Sequence, residues 1–519
     1  MRKSFASGAV ILMVAGLAAR LLGFFYRIYL SNLVGAEGIG LYELVIPVYT
    51  AVVLTITSGI TIAVSKMVAE QNARRDGINP GRVTMCAFMI AAAAGLIVSV
   101  FILLNTDILS LKVLGDERTH DALLVLVPCL PFVVAAAALK GYFYGIQNVV
   151  PTAFSQTAEQ AVKFLILLIA SDSIIEKGPG FASAVAVFAA AAGEILNMLI
   201  LFAVFSVRNR AKRRGGQAAK AMRKVRIIKE LLLAAVPVSA NRLVISSLAA
   251  AEYILIPAML AAGGLDEKSS MEVFGRLTGM ALPVIMFPSV VTSSIATTLV
   301  PALSESAALK RYKTLNSQIS KSIQITFILG IVFSSLFICF SNEIGFIMYP
   351  REKIGDLLFM LSFSCVFVYL QQTLTGVLNG LGRQGVLLRN TVIGSILRIA
   401  VVVVLMPVFG IKIYIVGMTA SLILTESLNL LTINRITGLV FDFREWLIKP
   451  GLIGVFIVLA GRYVYHFFEI FSSNVFITTL LALGTNFLIA GIMMIFTGIL
   501  NKDEILKMSG LKMGKTAEK

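Results

Sequence analysis

Long apolar runs, separated by short polar stretches, recur along the whole chain. An α-helix rises 1.5 Å per residue, so a run of about 20 residues crosses a hydrocarbon core of roughly 30 Å. Membrane β-strands need only about ten residues of alternating polarity, and these runs are longer and uniformly apolar. They predict fourteen transmembrane helices, at residues 6–30, 41–65, 83–104, 122–146, 154–171, 181–205, 230–261, 273–303, 322–341, 356–379, 386–408, 412–433, 450–468 and 475–499.

The composition changes this picture little but excludes one class of protein. Of the 519 residues, 58% are hydrophobic and only 14% are charged, and the mean hydropathy is +0.89. Soluble globular domains carry about a quarter of charged residues. We therefore predict an all-α integral membrane protein and exclude a soluble multidomain protein.

Positive charge is distributed unevenly along the chain, whose net charge is +17. Segment 208–229, "RNRAKRRGGQAAKAMRKVRIIK", alone carries ten lysines and arginines. The loops predicted on the outer side together carry seven: Lys112, Arg118, Lys177, Lys268, Arg351, Lys353 and Lys412. Basic flanks favour the cytoplasmic side, so both termini and segment 208–229 are expected in the cytoplasm. The basic segment is expected to contact anionic membrane lipids, with no nucleic acid as a partner.

The two halves of the chain repeat one another. Three matching pairs lie 235 residues apart: Gly141 and Gly376, Gly145 and Gly380, and Lys163 and Arg398. An ExLNxL pattern recurs at 194–199 and 426–431. Helices 1–6 thus correspond to helices 7–12. Because six is an even number, the two units are expected to be related by a pseudo-two-fold axis along the membrane normal.

This repeat predicts the domain organisation. We expect an N-lobe at 1–207, a basic cytoplasmic linker at 208–229, a C-lobe at 230–435, two extra helices within 436–500 and a cytoplasmic tail at 501–519. Two six-helix lobes that face each other can open a central cavity to either side by rigid-body rocking. That is the usual design of a secondary transporter.

Several charged residues fall inside the predicted membrane helices. A charge near the bilayer centre costs at least about 2.5–3.5 kcal/mol on insertion scales, so it should face protein or water. Cations outnumber anions among these residues, which favours an anionic substrate. The candidate substrate-binding residues are Arg20, Arg27, Glu43, Lys140, Lys163, Arg242, Glu252, Arg276, Asn379 and Arg398.

Some buried charges also have a purely structural explanation. Glu159 and Lys163 are four residues apart on one helix face and could neutralise each other. Glu194 and its repeat-related counterpart each precede an asparagine and could hydrogen-bond to neighbouring helices. Arg27 and Glu43 differ, because they flank the "SNLVGAEGIG" turn on the outer side, where the charge distribution gives no reason for an arginine.

The sequence contains no pattern typical of metal binding or catalysis. The four cysteines form no CxxC pair, and the two histidines, His120 and His466, are far apart in the chain. The tail segment "GLKMGKT" has Ser509 where a phosphate-binding loop needs its first glycine. We therefore expect no enzymatic activity, metal or cofactor. Transport would draw on a coupling ion of unknown identity or on the membrane potential.

Three segments together resemble a known family of membrane proteins. These are "RLLGFFYRIYLSNLVGAEGIGLY", "LKGYFYGIQNVVPTAFSQTAEQAVKF" and "FGRLTGMALPVIMFPSVVTSSIATTLVPALSES". They resemble the stage V sporulation protein B family, in the flippase branch of the multidrug/oligosaccharidyl-lipid/polysaccharide superfamily, which includes the lipid II flippase. The resemblance covers helices 1–12.

The resemblance implies a fold, a cargo and residue roles. The fold would be two six-helix lobes in a V, as in multidrug exporters and the lipid II flippase, with helices 13 and 14 bordering a groove for a lipid tail. The cargo would be an undecaprenyl-pyrophosphate-linked glycan, a peptidoglycan precursor for spore cortex synthesis, with cell-wall synthesis enzymes as further partners. Arg20 and Arg27 match the basic positions of the "RxLGFxR" motif, with Arg27 shifted by one residue.

Three functions remain open at this point. A lipid-linked glycan flippase predicts a cation-rich cavity that opens laterally to lipid. A cation-coupled multidrug exporter of the same fold predicts an N-lobe rich in acidic residues. A scaffold for envelope synthesis that transports nothing predicts buried charges that can be replaced without loss of activity.

Overall fold

The computed structural model describes residues 2–74, 80–177, 179–214, 224–472 and 474–498. The middle of the predicted linker, residues 215–223, and the predicted tail at 501–519 lie outside the described residues. Throughout the described part of the chain, every regular element is a helix. The predicted all-α fold is therefore confirmed.

The α-helices follow one another with short connections. In chain order they are α1 (Arg2–Arg74), α2 (Pro80–Leu104), α3 (Thr106–Ile108), α4 (Thr119–Leu126), α5 (Leu130–Gly145), α6 (Val150–Lys177), α7 (Pro179–Arg214), α8 (Lys224–Ala262), α9 (Glu267–Gly275), α10 (Leu282–Met286), α11 (Ser289–Ala308), α12 (Tyr312–Met348), α13 (Gly355–Ser362), α14 (Cys365–Gly380), α15 (Gln384–Val404), α16 (Met406–Phe409), α17 (Ile411–Thr437), α18 (Lys449–Phe471) and α19 (Val475–Phe496). A π-helical turn, Arg276–Ala281, joins α9 to α10.

The described helices include ten stretches that are long and apolar enough to cross a membrane, against the fourteen spans predicted. The count rises to twelve if each of two bent helix pairs is one span, with bends of 61° before α11 and 55° before α14. One of the ten, Ala18–Gln71, has 54 residues and contains two predicted spans. The remaining predicted span, 154–171, lies in α6, which is not one of these stretches.

Gly35 divides the long helix α1 into two segments. Its backbone angles, φ 71° and ψ −179°, are not helical. A residue with a side chain rarely adopts a positive φ, so glycine is well suited to this position. The predicted "SNLVGAEGIG" turn is therefore a kink at which two helical segments of α1 meet.

The chain packs as two compact units, each with its own apolar core. The first comprises Met1–Pro283 and Thr391–Tyr414, and the second comprises Val284–Asn390 and Ile415–Lys519. Buried residues such as Val64, Leu139 and Phe205 form a core in the first unit. Leu374 and Trp446 belong to the corresponding core of the second. The lobe boundaries predicted from the sequence repeat stay a prediction.

Helix packing inside the units agrees with the predicted repeat. A β-carbon on Gly141 would lie 2.7 Å from the carbonyl oxygen of Thr61, and one on Gly376 would lie 2.7 Å from the Cα of Ala296. Thr61 and Ala296 are themselves 235 residues apart. The same offset relates the neighbours of the next glycine pair: Gly145 contacts Ser65 and Val68, and Gly380 contacts Val300 and Leu303. Small residues permit such close helix contacts in membranes.

Candidate functional site

Arg27 and Glu43, both on α1, form an ion pair. Arg27 also donates from Nε to the carbonyl oxygen of Gly279 at 3.2 Å and from Nη2 to that of Thr278 at 3.3 Å. The Glu43 side chain is only 7% exposed, whereas that of Arg27 is 32% exposed. A buried carboxylate is thus neutralised by a guanidinium that remains partly accessible.

The sequence around Gly279 explains why these two carbonyl groups can accept hydrogen bonds from Arg27. In a regular α-helix the N–H four residues later would bind each carbonyl. Pro283 occupies that position for Gly279 and has no N–H. The π turn directs the N–H of Leu282 to the carbonyl oxygen of Leu277 instead of Thr278. Two backbone acceptors are therefore left for the guanidinium.

Three glycines bring α1 close to α9 and the π turn. Glycine allows backbones to approach closely because it has no β-carbon. A β-carbon would overlap a neighbour at each position: the carbonyl oxygen of Met271 at Gly40, the carbonyl oxygen of Ala36 at Gly275, and the side chain of Ile39 at Gly279. Close packing therefore holds the π turn beside Arg27.

A second ion pair connects α15 to α8. Arg398 donates from Nε to Glu252 Oε2 at 3.1 Å, and the Tyr414 hydroxyl donates to Glu252 Oε1 at 2.9 Å. Arg398 also donates from Nη2 to Ser395 Oγ at 3.3 Å. Glu252 is buried with both oxygens bound, so its charge has a fixed position.

A third ion pair lies within α6. Lys163 donates from Nζ to Glu159 Oε1 at 2.6 Å, and Asn197 on α7 donates from Nδ2 to Glu159 Oε2 at 2.7 Å. Gly193 leaves room for this arrangement, because a β-carbon there would lie 2.9 Å from Lys163 Cε. The sequence interpretation of Glu159 and Lys163 as a self-neutralising pair is confirmed by this geometry.

Two tyrosines lie near more than one of the ion pairs. Tyr253 lies within electrostatic range of both the α1 pair and the α15–α8 pair. Tyr42 lies within electrostatic range of the α1 pair and of Lys163. We call these three pairs, all in the first unit, the paired-charge site: Arg27–Glu43, Arg398–Glu252 and Lys163–Glu159.

The other predicted site residues take no part in these three ion pairs. Arg20 and Arg242 are exposed, and Lys140 on α5 is partly buried. Arg276 pairs with Glu272 one turn earlier on its own helix, at 3.4 Å. Asn379 lies on α14 in the second unit and is partly buried. Whether these residues contact cargo stays a prediction.

Sequence reasoning missed several contributors to the site. Tyr42, Tyr253 and Tyr414 carry no pattern that separates them from other membrane tyrosines. Asn197 could have been identified from the sequence, because it belongs to the repeated ExLNxL pattern. Pro283 was also an available signal, since a proline four residues after Gly279 removes that carbonyl's helical partner.

The loop before α4 is fixed by a separate charge cluster. Arg118 donates from Nε to Asp116 Oδ1 at 2.9 Å and from Nη1 to Glu37 Oε1 at 2.5 Å. Hydrogen bonding to Asp116, and then to Glu37, raises the pKa of Arg118 above its already high ordinary value. This loop is therefore tied to α1 near its bend.

The fold and the charged residues packed between its helices define a class of protein, a multi-pass α-helical membrane protein. Residues 5–307 match the family described as "Polysaccharide biosynthesis protein", and residues 277–404 match the MatE family. The chain belongs to the polysaccharide biosynthesis protein family. In the described part of the chain, no three His, Cys, Asp or Glu side chains are grouped so as to hold a metal ion.

Known proteins agree with this membership. The chain is 26% identical over 454 residues to stage V sporulation protein B of Bacillus subtilis (strain 168), which covers 87% of this chain and 88% of that protein. It superimposes on the lipid II flippase MurJ in an inward closed conformation with a TM-score of 0.73 at 13% identity, covering 94% and 99% of the two chains. A multidrug resistance MATE family transporter in an inward-facing conformation gives a TM-score of 0.62 at 15% identity, covering 83% and 99%. The resemblance predicted from the sequence is confirmed, and so is the fold class.

Proposed function

We propose that this protein flips an undecaprenyl-pyrophosphate-linked glycan outward across the bacterial cytoplasmic membrane by alternating access. The cargo would be a peptidoglycan precursor used in spore cortex synthesis. Support comes from the family match, from a relative named for sporulation and from a structural neighbour named as a lipid II flippase. These names describe transport and envelope formation, with no enzymatic reaction.

The observation that carries the proposal is the ion pair of Arg27 with the buried Glu43 on α1. A pyrophosphate brings about two negative charges that a bilayer does not accept without compensation. Arginine remains protonated in a membrane and offers planar, bidentate donors that suit phosphate oxygens. In the empty protein a carboxylate can satisfy those donors, and an arriving pyrophosphate can compete with it for them.

The remaining parts of the proposal follow from chemistry and charge. Amide side chains such as Asn379 would bind the sugars, and membrane lipids would surround the helices. The positive-inside distribution places both termini in the cytoplasm, where cell-wall synthesis enzymes could supply the cargo. With the cell interior negative, outward movement of a net negative charge releases about 2.3 kcal/mol per charge per 100 mV, so no cofactor is needed.

A cation-coupled multidrug exporter is the second candidate function. It is favoured by the buried carboxylates Glu43 and Glu159 and by the fold shared with MATE transporters. Such an exporter would bind lipophilic cations, and the phosphate of a lipid would make no difference to its affinity.

A binding experiment separates these functions. Purified protein in nanodiscs is titrated with undecaprenyl-pyrophosphate glycan and with undecaprenol, and Arg27→Ala/Arg398→Ala is the comparison variant. Charge-assisted contacts contribute about 1.5–3 kcal/mol each, so loss of two should weaken binding of the phosphorylated lipid by about a hundredfold or more. Equal affinity for the two lipids would exclude the flippase, and competition by lipophilic cations would favour the exporter. If the variant lost this binding but still complemented a deletion strain fully, a scaffold that transports nothing would be favoured.

A further inference from the structure

Glu426 on α17 is a buried carboxyl group in the second unit with one oxygen unused. The residue is 1% exposed. Its Oε2 accepts a hydrogen bond from Asn429 Nδ2 at 3.0 Å. Its Oε1 is buried and has no hydrogen-bond partner among the described residues. The functional site described above does not use this residue.

A one-way chain of hydrogen bonds leads to Glu426 from the surface. Exposed Arg389 on α15 donates from Nε and Nη2 to Asn390 Oδ1, at 3.2 Å each. Asn390 donates from Nδ2 to Asn429 Oδ1 at 2.9 Å, and Asn429 then donates to Glu426. Both asparagines are fully buried. Every donor in the chain points toward the carboxyl group.

The charges around Glu426 do not neutralise it. Arg389 reaches it only through two neutral amides, and no lysine, arginine or histidine of the described chain bonds to either oxygen. The other basic residues on α15 and α17 are Arg398, Lys412 and Arg435, and Arg398 is bound to Glu252. An ionised carboxylate without a counter-charge costs several kcal/mol to bury, whereas its neutral acid costs far less.

The geometry also argues against a bound metal ion. An alkali or alkaline-earth cation needs several oxygen ligands around it. The amide oxygens of Asn390 and Asn429 already accept hydrogen bonds within the chain. Within the described part of the chain, Glu426 Oε1 is the one oxygen of this network that accepts no hydrogen bond, and a single proton can bind there.

The repeat-related motif in the first unit provides a contrast. Glu194, the counterpart of Glu426, also has a buried oxygen, Oε2, without a partner. Its neighbour Asn197 donates to Glu159, which is bound to Lys163. The cation Lys163 therefore lies next to the carboxylate in the first unit. In the second unit, no cation is bonded directly to Glu426 among the described residues.

We propose that Glu426 is a proton-binding site, with an exchangeable proton held on its carboxyl group and with Asn429, Asn390 and Arg389 fixing its orientation. The carboxylate takes one proton from water and becomes a neutral acid, and it releases the proton by the reverse step. If the protein is a flippase, as proposed above, this site is where transport would be coupled to protons. The binding of the proton itself does not depend on the cargo.

Infrared spectroscopy of the purified full-length protein in lipid tests this directly, because a carboxylic acid and a carboxylate absorb at different frequencies. At neutral pH, Glu426→Gln should remove one acid band, and that band should shift when wild-type protein is transferred to D2O. Glu343→Gln is the matched control, because Glu343 is bound to Arg462 at 2.6 Å and should contribute no acid band. An acid band unchanged by Glu426→Gln, or one that does not shift in D2O, would overturn the proposal.

Thermal unfolding of Glu426→Gln provides a second test, which also applies if the variant folds less well than the wild type. Glutamine is neutral, has nearly the shape of protonated glutamate and can still accept from Asn429. Glu426→Gln should therefore unfold at the wild-type temperature in a thermal scan. A large decrease in its unfolding temperature would mean that a negative charge is required at this position, and would equally overturn the proposal.

Discussion

Arg27 forms an ion pair with Glu43, sixteen residues later and on the far side of the kink at Gly35. In a straight α-helix these residues would be about 24 Å apart along the axis. The pair exists because the chain bends at Gly35, whose positive φ of 71° is readily adopted by glycine. The kink at Gly35 thus brings the Glu43 carboxylate next to Arg27.

Replacing Arg27 should lower the free energy of unfolding more than replacing Glu43. Arg27→Ala leaves Glu43 buried without a counter-charge, and breaking such a pair costs up to about 3–5 kcal/mol, less here because Arg27 is partly exposed. Glu43→Gln leaves Arg27 with the carbonyl groups of Thr278 and Gly279, so it should cost less. Thermal unfolding of the purified variants measures both effects.

The double variant Arg27→Ala/Glu43→Gln is the control for this explanation. It removes the stranded carboxylate and should be more stable than Arg27→Ala alone. If the double variant is no more stable, the ion pair is not what stabilises this part of the fold.

Close packing of α1 against α9 predicts a second effect. In Gly275→Ala the new methyl group would overlap the carbonyl oxygen of Ala36, so the helices must separate, at a cost of about 1–3 kcal/mol. Gly491→Ala on α19 is the matched control, because no atom lies within 4 Å of that position and alanine favours a helix. We expect a lower unfolding temperature for Gly275→Ala and no decrease for Gly491→Ala. Equal unfolding temperatures would contradict the close contact.

The sequence predicted features that depend on local pattern or on regular spacing. Apolar runs located the membrane helices, and the 235-residue offset paired Gly141 with Gly376, whose structural neighbours Thr61 and Ala296 have the same offset. Pairings set by tertiary packing were not predictable. Arg398 and Glu252 are 146 residues apart, and nothing in either local sequence selects the other. Arg276, a candidate for cargo binding, also pairs with Glu272 one turn earlier, and its role in binding stays a prediction.

The orientation of the chain in the membrane can be tested by cysteine labelling. The positive-inside distribution predicts that residue 217, which lies outside the described residues, is cytoplasmic. It also predicts that the exposed Glu267, at the start of α9, is on the outer side. In a cysteine-free background, a membrane-impermeant reagent applied to intact cells should label Glu267→Cys and not Gln217→Cys. Labelling of both would contradict the fourteen-span topology.

The Arg398–Glu252 pair allows a structural role to be separated from a role in transport. Tyr414→Phe removes one hydrogen bond to Glu252, and a bond to a charged group contributes about 1.5–3 kcal/mol. Arg398→Gln removes the only cation that the structure pairs with Glu252 among the described residues, so it should destabilise the protein more than Tyr414→Phe does. Thermal unfolding provides the comparison.

The double variant Arg398→Gln/Glu252→Gln then decides what the arginine does. Replacing both charges removes the buried, unpaired carboxylate, so the unfolding temperature should return toward that of the wild type. If Arg398 also binds anionic cargo, transport of a lipid-linked glycan into proteoliposomes should stay low although the fold is restored, because glutamine cannot neutralise a phosphate. Recovery of both stability and transport would mean that Arg398 serves only to neutralise Glu252, and cargo recognition would then have to rest on Arg27 and other residues.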